Sequence, residues 1–199
     1  KADARDFSRQ LEVEHLWRES RELAIPEYAR NDRDRCYHCK TELFRITEEV
    51  LAEAGLGWVL YGYNASDHGD DRPGHRAAQE AGVLTPLSTV GLNKAEIGYL
   101  MREAGLPLSS KPASPCLSSR ITYNHKITRK KLVEVEQAED LLNSFGFDDV
   151  RVRHYGDHGK VEVRKEDLPR LLEMKESVVE KIRSVGFKEV VIDEEGLVS

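Results

Sequence analysis

The sequence predicts an α/β protein of two unequal parts. Three observations carry that prediction. Strand-like and helix-like segments alternate from residue 36 onward, the pattern of a parallel sheet with crossing helices. The character of the chain changes around residues 121–128. Beyond that point two matching helix-to-strand corners mark a small α+β unit. A chain of 199 residues has room for one ordinary domain and a small one, placed here at 1–121 and 122–199.

Each element has its own justification. Residues 1–11 put Ala4, Phe7 and Leu11 on one helical face and read as a helix already under way, with no initiator Met. The expectation is a fragment of a longer protein whose first functional element is missing. Residues 13–17 alternate as a short strand would, and a polar loop follows to residue 34. Residues 36–54 carry Leu43, Ile46, Val50 and Leu51 at helical spacing, with Gly55 as the stop. Residues 57–62, an apolar run between glycines, predict a buried strand. The Asp- and Gly-rich stretch 63–74 predicts a loop. Asn93-Lys-Ala-Glu96 has capping-box spacing and opens a helix that Gly105 closes.

In the second part a helix over 128–145 stops at Gly146, strands follow at 150–154 and 160–163, and a second helix over 168–185 stops at Gly186 before a last strand at 189–192. The phrases Leu142-Asn-Ser-Phe-Gly-Phe-Asp-Asp-Val150 and Ile182-Arg-Ser-Val-Gly-Phe-Lys-Glu-Val190 echo each other as helix end, glycine stop, anchoring Phe and strand.

Composition narrows the function. The chain carries 36 acidic and 30 basic residues, interspersed, for a net charge of −6, which weighs against broad nucleic-acid binding. Its longest apolar stretch, near residues 57–63, is far short of the roughly 20 residues that cross a bilayer. No signal peptide is expected. A soluble cytoplasmic protein without a membrane partner is expected.

Chemistry concentrates at three cysteines, Cys36, Cys39 and Cys116. An odd count with one C-x-x-C does not form a disulfide framework. The pair Cys36 and Cys39 falls on one turn, near enough to ligate zinc or an iron–sulfur cluster, to act as a redox pair, or to be two plain thiols. His38 with Cys116 would complete a zinc set only if that turn were irregular. Cys116 sits in Lys111-Pro-Ala-Ser-Pro-Cys-Leu-Ser-Ser-Arg120, a stiff loop whose Lys111 and Arg120 favour a thiolate; it is a candidate nucleophile or ligand, or a buried junction cysteine. Arg151 and Arg153 project from one face of a strand, suited to phosphate or carboxylate, or simply solvated. Asp67, Asp70 and Asp71 suit a metal, a ribose or a turn. His15, His68, His75, His125, His154 and His158 show no ligand spacing and read as surface or core residues.

Together, Arg35-Cys-Tyr-His-Cys-Lys40, Gly62-Tyr-Asn-Ala-Ser-Asp67, Gly69-Asp-Asp-Arg-Pro-Gly74, the Cys116 loop and Arg151-Val-Arg-His-Tyr-Gly-Asp157 resemble the LarE-type sulfur transferases of the PP-loop ATP-pyrophosphatase superfamily. The resemblance runs over essentially the whole chain, and the cysteine motif is its most specific part. The family's Ser-Gly-Gly-x-Asp-Ser loop is not found in these residues. It implies a parallel-sheet PP-loop domain lacking its first strand and loop, followed by a substrate-binding and oligomerisation domain. It further implies ATP- and Mg2+-dependent adenylylation of a carboxylate on a pyridinium dicarboxylate mononucleotide, then sulfur insertion toward a nickel-pincer cofactor. In some members the loop cysteine gives up its own sulfur; in those with a C-x-x-C, three cysteines hold a 4Fe–4S cluster whose open iron carries sulfide.

Carried onto this chain, the resemblance makes Cys36, Cys39 and Cys116 ligands and makes Cys116 and Arg120 catalytic. It places Gly62, Asn64 and Asp67 at the nucleotide, and Ser119, Arg151, Arg153 and Glu162, with Glu139, around the substrate. External sulfide and a homo-oligomer are the expected partners. The rivals are a PP-loop tRNA thiolase, which the net charge opposes, a sacrificial-cysteine donor, and a zinc-stabilised binding module without catalysis.

Overall fold

A computed structural model describes residues 2–68, 73–106 and 115–197, and shows a mixed α/β protein. The first helix, α1 (Ala2–Gln10), is followed by irregular chain. Residues 13–17 are irregular chain and not the expected strand, and Val13 and Trp17 stay exposed. A single turn, α2 (Pro26–Ala29), starts on a proline whose missing N–H costs nothing at that position. The long helix α3 (Arg35–Ala54) ends as predicted on Gly55, left-handed at φ 64°, whose N–H reaches the Leu51 carbonyl. Its buried stripe includes the expected Ile46, but Phe44 goes inside while the expected Leu43 faces out. Phe44 packs on Ala77 and Ala78 of α4 (Pro73–Glu80), with Tyr61 edge-on to its ring.

Residues 57–62 correct the expectation of a buried strand. Trp58 is 72% and Leu60 66% exposed, and pairing is limited to one parallel bridge, Leu60 with Leu84. A lone pair of short strands cannot bury its side chains, so apolar residues alone do not make a sheet interior. The parallel sheet expected of residues 1–121 is thus represented, among the described residues, by that bridge. After α5 (Pro86–Thr89) comes α6 (Lys94–Glu103), opened by the predicted capping box. The Asn93 side chain accepts the N–H of Ala95 and Glu96, and the Glu96 carboxylate accepts the Asn93 N–H at 2.9 Å.

The sheet lies in the C-terminal part. Helix α7 (Arg129–Ser144), capped by Thr128, leads into β1 (Val150–Tyr155) and β2 (His158–Val163), which pair antiparallel with Val152 opposite Val161. The helix expected over 168–185 is two, α8 (Leu168–Glu173) and α9 (Lys175–Val185), separated at Met174. No glycine falls at that break to announce it. Finally β3 (Glu189–Ile192) pairs parallel with β2, giving the order β1-β2-β3.

One face of this sheet is the main core. Val135, Ala138 and Leu142 of α7 and Val178 and Ile182 of α9 close over Val152 and Val161. The two corners match as expected: Gly146 and Gly186 both have positive φ, and Phe147 and Phe187 are buried directly after them. The junction expected near residue 121 falls inside a second, smaller core of Tyr28, Ile121 and Ile127. No helix among the described residues is long and apolar enough to cross a membrane.

Candidate active site

The site is built by fastening one loop to the start of α3. Cys36 and Cys39 lie on the first turns of that helix, Cys36 exposed and Cys39 half-buried against Tyr28, Ile121 and Ile127. Cys116 lies exposed just ahead of a 3-10 turn, Leu117–Arg120. Asn31, fully buried and left-handed at φ 62°, ties the two together. Its amide nitrogen stands within hydrogen-bond distance of the carbonyls of Ile121, Thr122 and His125, at 3.1, 2.8 and 3.0 Å. Arg35 donates to the Asn31 side-chain oxygen at 2.7 Å and to the Ser118 carbonyl at 3.0 Å. The Tyr28 hydroxyl meets Ser118 Oγ at 2.6 Å, and burial pushes that phenol up to about 12.

The three sulfurs share one electrostatic neighbourhood. Burial is the main cause that raises the Cys39 thiol above its ordinary value, Glu22 adds to it, and Cys116 and Cys36 push the same way, while Lys40 opposes. Among the described residues no group of three His, Cys, Asp or Glu stands close enough to hold a single metal ion. A cluster with several irons does not require its ligands to converge on one point, and an all-thiol donor set is the chemistry it takes.

The basic residues are mostly engaged. Arg120 is buried and paired with Glu139 at 2.8 Å, and its NH1 donates to the Pro115 carbonyl and to Ser119 Oγ. Glu139 also accepts the Val152 N–H. Arg120 thus anchors the residue before Cys116 to α7 and β1, a positioning geometry. Ser119 turns its hydroxyl to the Cys116 carbonyl at 2.7 Å. On the outer face of the sheet Arg153 donates to the buried Glu162 at 2.6 Å. Arg151, opposite Glu162 in register, has no ion-pair partner among the described residues. Asn64 and Asp67 cap each other across the short turn Ala65–Asp67. Asp70, Asp71 and Lys111 lie outside the described residues.

Beside the cysteines opens a cavity of about 480 Å³. Cys36, Gly62 and Asp67 line it, so a predicted ligand and two predicted nucleotide-site residues share one wall, and a Cβ at Gly62 would meet open space. His75, read from sequence as an ordinary surface or core residue, also lines it, stacked on Tyr63 with ring centroids 4.0 Å apart. Sequence reasoning missed Asn31, Tyr28 and Lys40. Only Lys40 carried a signal, four residues after Cys36 and hence on the same helix face.

Comparison with known proteins places the chain. It is 34% identical to the uncharacterized protein slr1717 of Synechocystis over 196 residues, 98% of this chain and 73% of that protein. It is 30% identical to the uncharacterized protein MJ0830 of Methanocaldococcus jannaschii over 171 residues, 86% and 67% of the two chains. The chain belongs to the family of these two proteins. This family member is also 32% identical, over 163 residues, to the pyridinium-3,5-bisthiocarboxylic acid mononucleotide synthase of Lactiplantibacillus plantarum. That match takes in 82% of this chain, which spans 59% of the synthase's length. No family model matches the family member described here.

Proposed function

We propose that this protein is an ATP-dependent sulfur transferase that turns a carboxylate of pyridinium-3,5-biscarboxylate mononucleotide into a thiocarboxylate, a step toward a nickel-pincer cofactor. The observation that carries the reading is the fastening of the Cys116 loop onto the turn that bears Cys36 and Cys39. The similarity to the synthase of Lactiplantibacillus plantarum supports it.

A carboxylate oxygen leaves poorly, and transfer of AMP onto it from Mg2+-bound ATP gives the acyl carbon a good leaving group. Cys36, Cys39 and Cys116 would hold a 4Fe–4S cluster, which supplies an open iron able to carry sulfide. Cys116 is set in place by Arg120 and Asn31, and Ser119 fixes the turn that follows it. Gly62 and Asp67, on the wall of the cavity, would take its nucleotide side, with Asn64 capping the turn that carries Asp67. Arg151 is the guanidinium open to a substrate phosphate, whereas Arg153 and Glu162 satisfy each other. A homo-oligomer would bring this sheet face to a shared site, with external sulfide as the sulfur source and the cytoplasm as the place of action.

The test supplies the full chain, reconstituted with iron and sulfide, with ATP, Mg2+ and the pyridinium substrate. Product carrying sulfur in place of one carboxylate oxygen, detected by mass spectrometry and absent with Cys116→Ser, is expected; no sulfur-bearing product under any condition overturns the reading. The exposure of Cys116 favours a second reading in which its own sulfur is given up. In that case the chain itself becomes lighter by hydrogen sulfide, and turnover stops after one product per chain.

A further inference from the structure

Glu22 opens the 3-10 turn Glu22–Ala24 that precedes α2, and its Oε2 is buried with no hydrogen-bond partner among the described residues. A buried carboxylate oxygen left without a donor is costly unless a cation or a proton meets it. The turn is fastened against the face of α3 that carries Cys39. The N–H of Arg21 donates to the Glu42 carboxylate at 3.2 Å, and Glu42 follows Cys39 by three positions, on the same side of that helix. Ile25, whose N–H reaches the Glu22 carbonyl at 3.0 Å, packs on the same small core as Cys39.

Glu22 is thus bracketed by two residues that both address the Cys39 face, and its charge is felt there. Burial first, and the Glu22 charge next, raise the Cys39 thiol. Burial also leads at the Tyr28 phenol; the Ser118 hydroxyl opposes it, and Cys39, Glu22 and Cys116 add to it. Glu22 therefore shares the neighbourhood of the sulfurs. A negative charge beside thiols works against their thiolates as long as no cation stands among them. With iron bound the same charge is favourable, because iron accepts carboxylate oxygen as well as sulfur. A 4Fe–4S cluster held by Cys36, Cys39 and Cys116 has one iron without a cysteine sulfur.

We propose that Glu22 is a fourth protein donor of this site: its carboxylate ligates the iron that the cysteines leave open and yields that position to hydrosulfide. This rests on the reading of Cys36, Cys39 and Cys116 as cluster ligands. The step exchanges one singly charged anion for another. The iron–oxygen bond breaks, an iron–sulfur bond forms, the carboxylate stays on the chain and no electron moves. A carboxylate in that position keeps other ligands off the open iron until the sulfur source arrives.

The test uses the full chain, reconstituted anaerobically with iron and sulfide and freed of excess sulfide. It is then titrated with sodium hydrosulfide while the electron paramagnetic resonance of the reduced cluster is followed. Wild type and Glu22→Gln should both hold about four irons per chain, since the cysteines remain. Their spectra should differ before hydrosulfide is added. Glu22→Gln should then bind hydrosulfide about tenfold more tightly, the gain when a position closed in about nine molecules of ten is opened. Glu49→Gln, which removes a partner of Arg45 on the exposed side of α3, should behave as wild type. Should Glu22→Gln take up no iron, Glu22→Asp, which keeps the charge but shortens its reach by one methylene, decides by the same two readouts. Identical spectra and equal hydrosulfide affinity in wild type and variant overturn the inference and leave the cluster reading standing. A wild type that takes up no iron overturns both.

Discussion

Asn31 does more for the site than any residue the motifs single out. It is fully buried, and one side chain bridges Arg35 to three carbonyls of the segment after Cys116. Asn31→Ala strands those groups and is expected to lower stability by about 3 kcal/mol, read from urea unfolding. His154 gives a second test at this scale. It is buried against Glu134 at 3.1 Å and tilted against Phe187, and burial is the leading cause that holds its pKa below the ordinary 6.5. The folded ring stays neutral where the unfolded chain takes up a proton. The His154 contribution is therefore fully present above that value and is lost as pH falls through the depressed one. Urea midpoints should fall between about pH 7.5 and about pH 5.5, and the fall should be shallower in His154→Gln; equal slopes would refute the assignment. The cysteines were legible because their residue type announces chemistry. Asn31 was not, because a buried amide is defined only by what the fold brings to it.

At the scale of elements, caps and stops were the readable features. Gly55, Gly105, Gly146 and Gly186 all have the positive φ that their positions predict, and the Asn93 capping box forms as spelled. The paired corners differ in one respect that substitution can expose. At Gly146 an added methyl would meet only the Arg170 tip at 3.4 Å, whereas at Gly186 it would run into the Glu134 carboxylate, with Cδ at 3.0 Å. Gly146→Ala should cost about 1–2 kcal/mol for the left-handed backbone, and Gly186→Ala distinctly more, seen as a larger drop in thermal midpoint. Residues 57–62 show where reading fails. The apolar run is there, but a strand is buried only if neighbours cover it, and sequence pattern does not count neighbours. The break at Met174 was silent for a related reason: a local departure from helical backbone needs no helix-breaking residue at that point.

Across the whole molecule, the larger core belongs to the C-terminal sheet and its helices, while Cys39 packs on the smaller core that residues 25–39 share with residues 121–132. The Arg120–Glu139 pair joins the two, since Glu139 also holds the Val152 N–H of β1. Arg120→Met should therefore loosen the Cys116 loop and lower cluster occupancy while leaving the secondary structure seen by circular dichroism nearly unchanged. The change of character expected near residue 121 falls within the smaller core. Its packing was not legible in the sequence, because it depends on Ile121 and Tyr28, 93 positions apart, finding each other.

Iron stoichiometry tests most directly whether three thiols from two segments act as one donor set. Anaerobic reconstitution with iron and sulfide should give a brown protein with about four irons per chain, and Cys36→Ala should lose both colour and iron. A wild-type chain that takes up no iron, or a Cys36→Ala chain that keeps it all, would contradict the account.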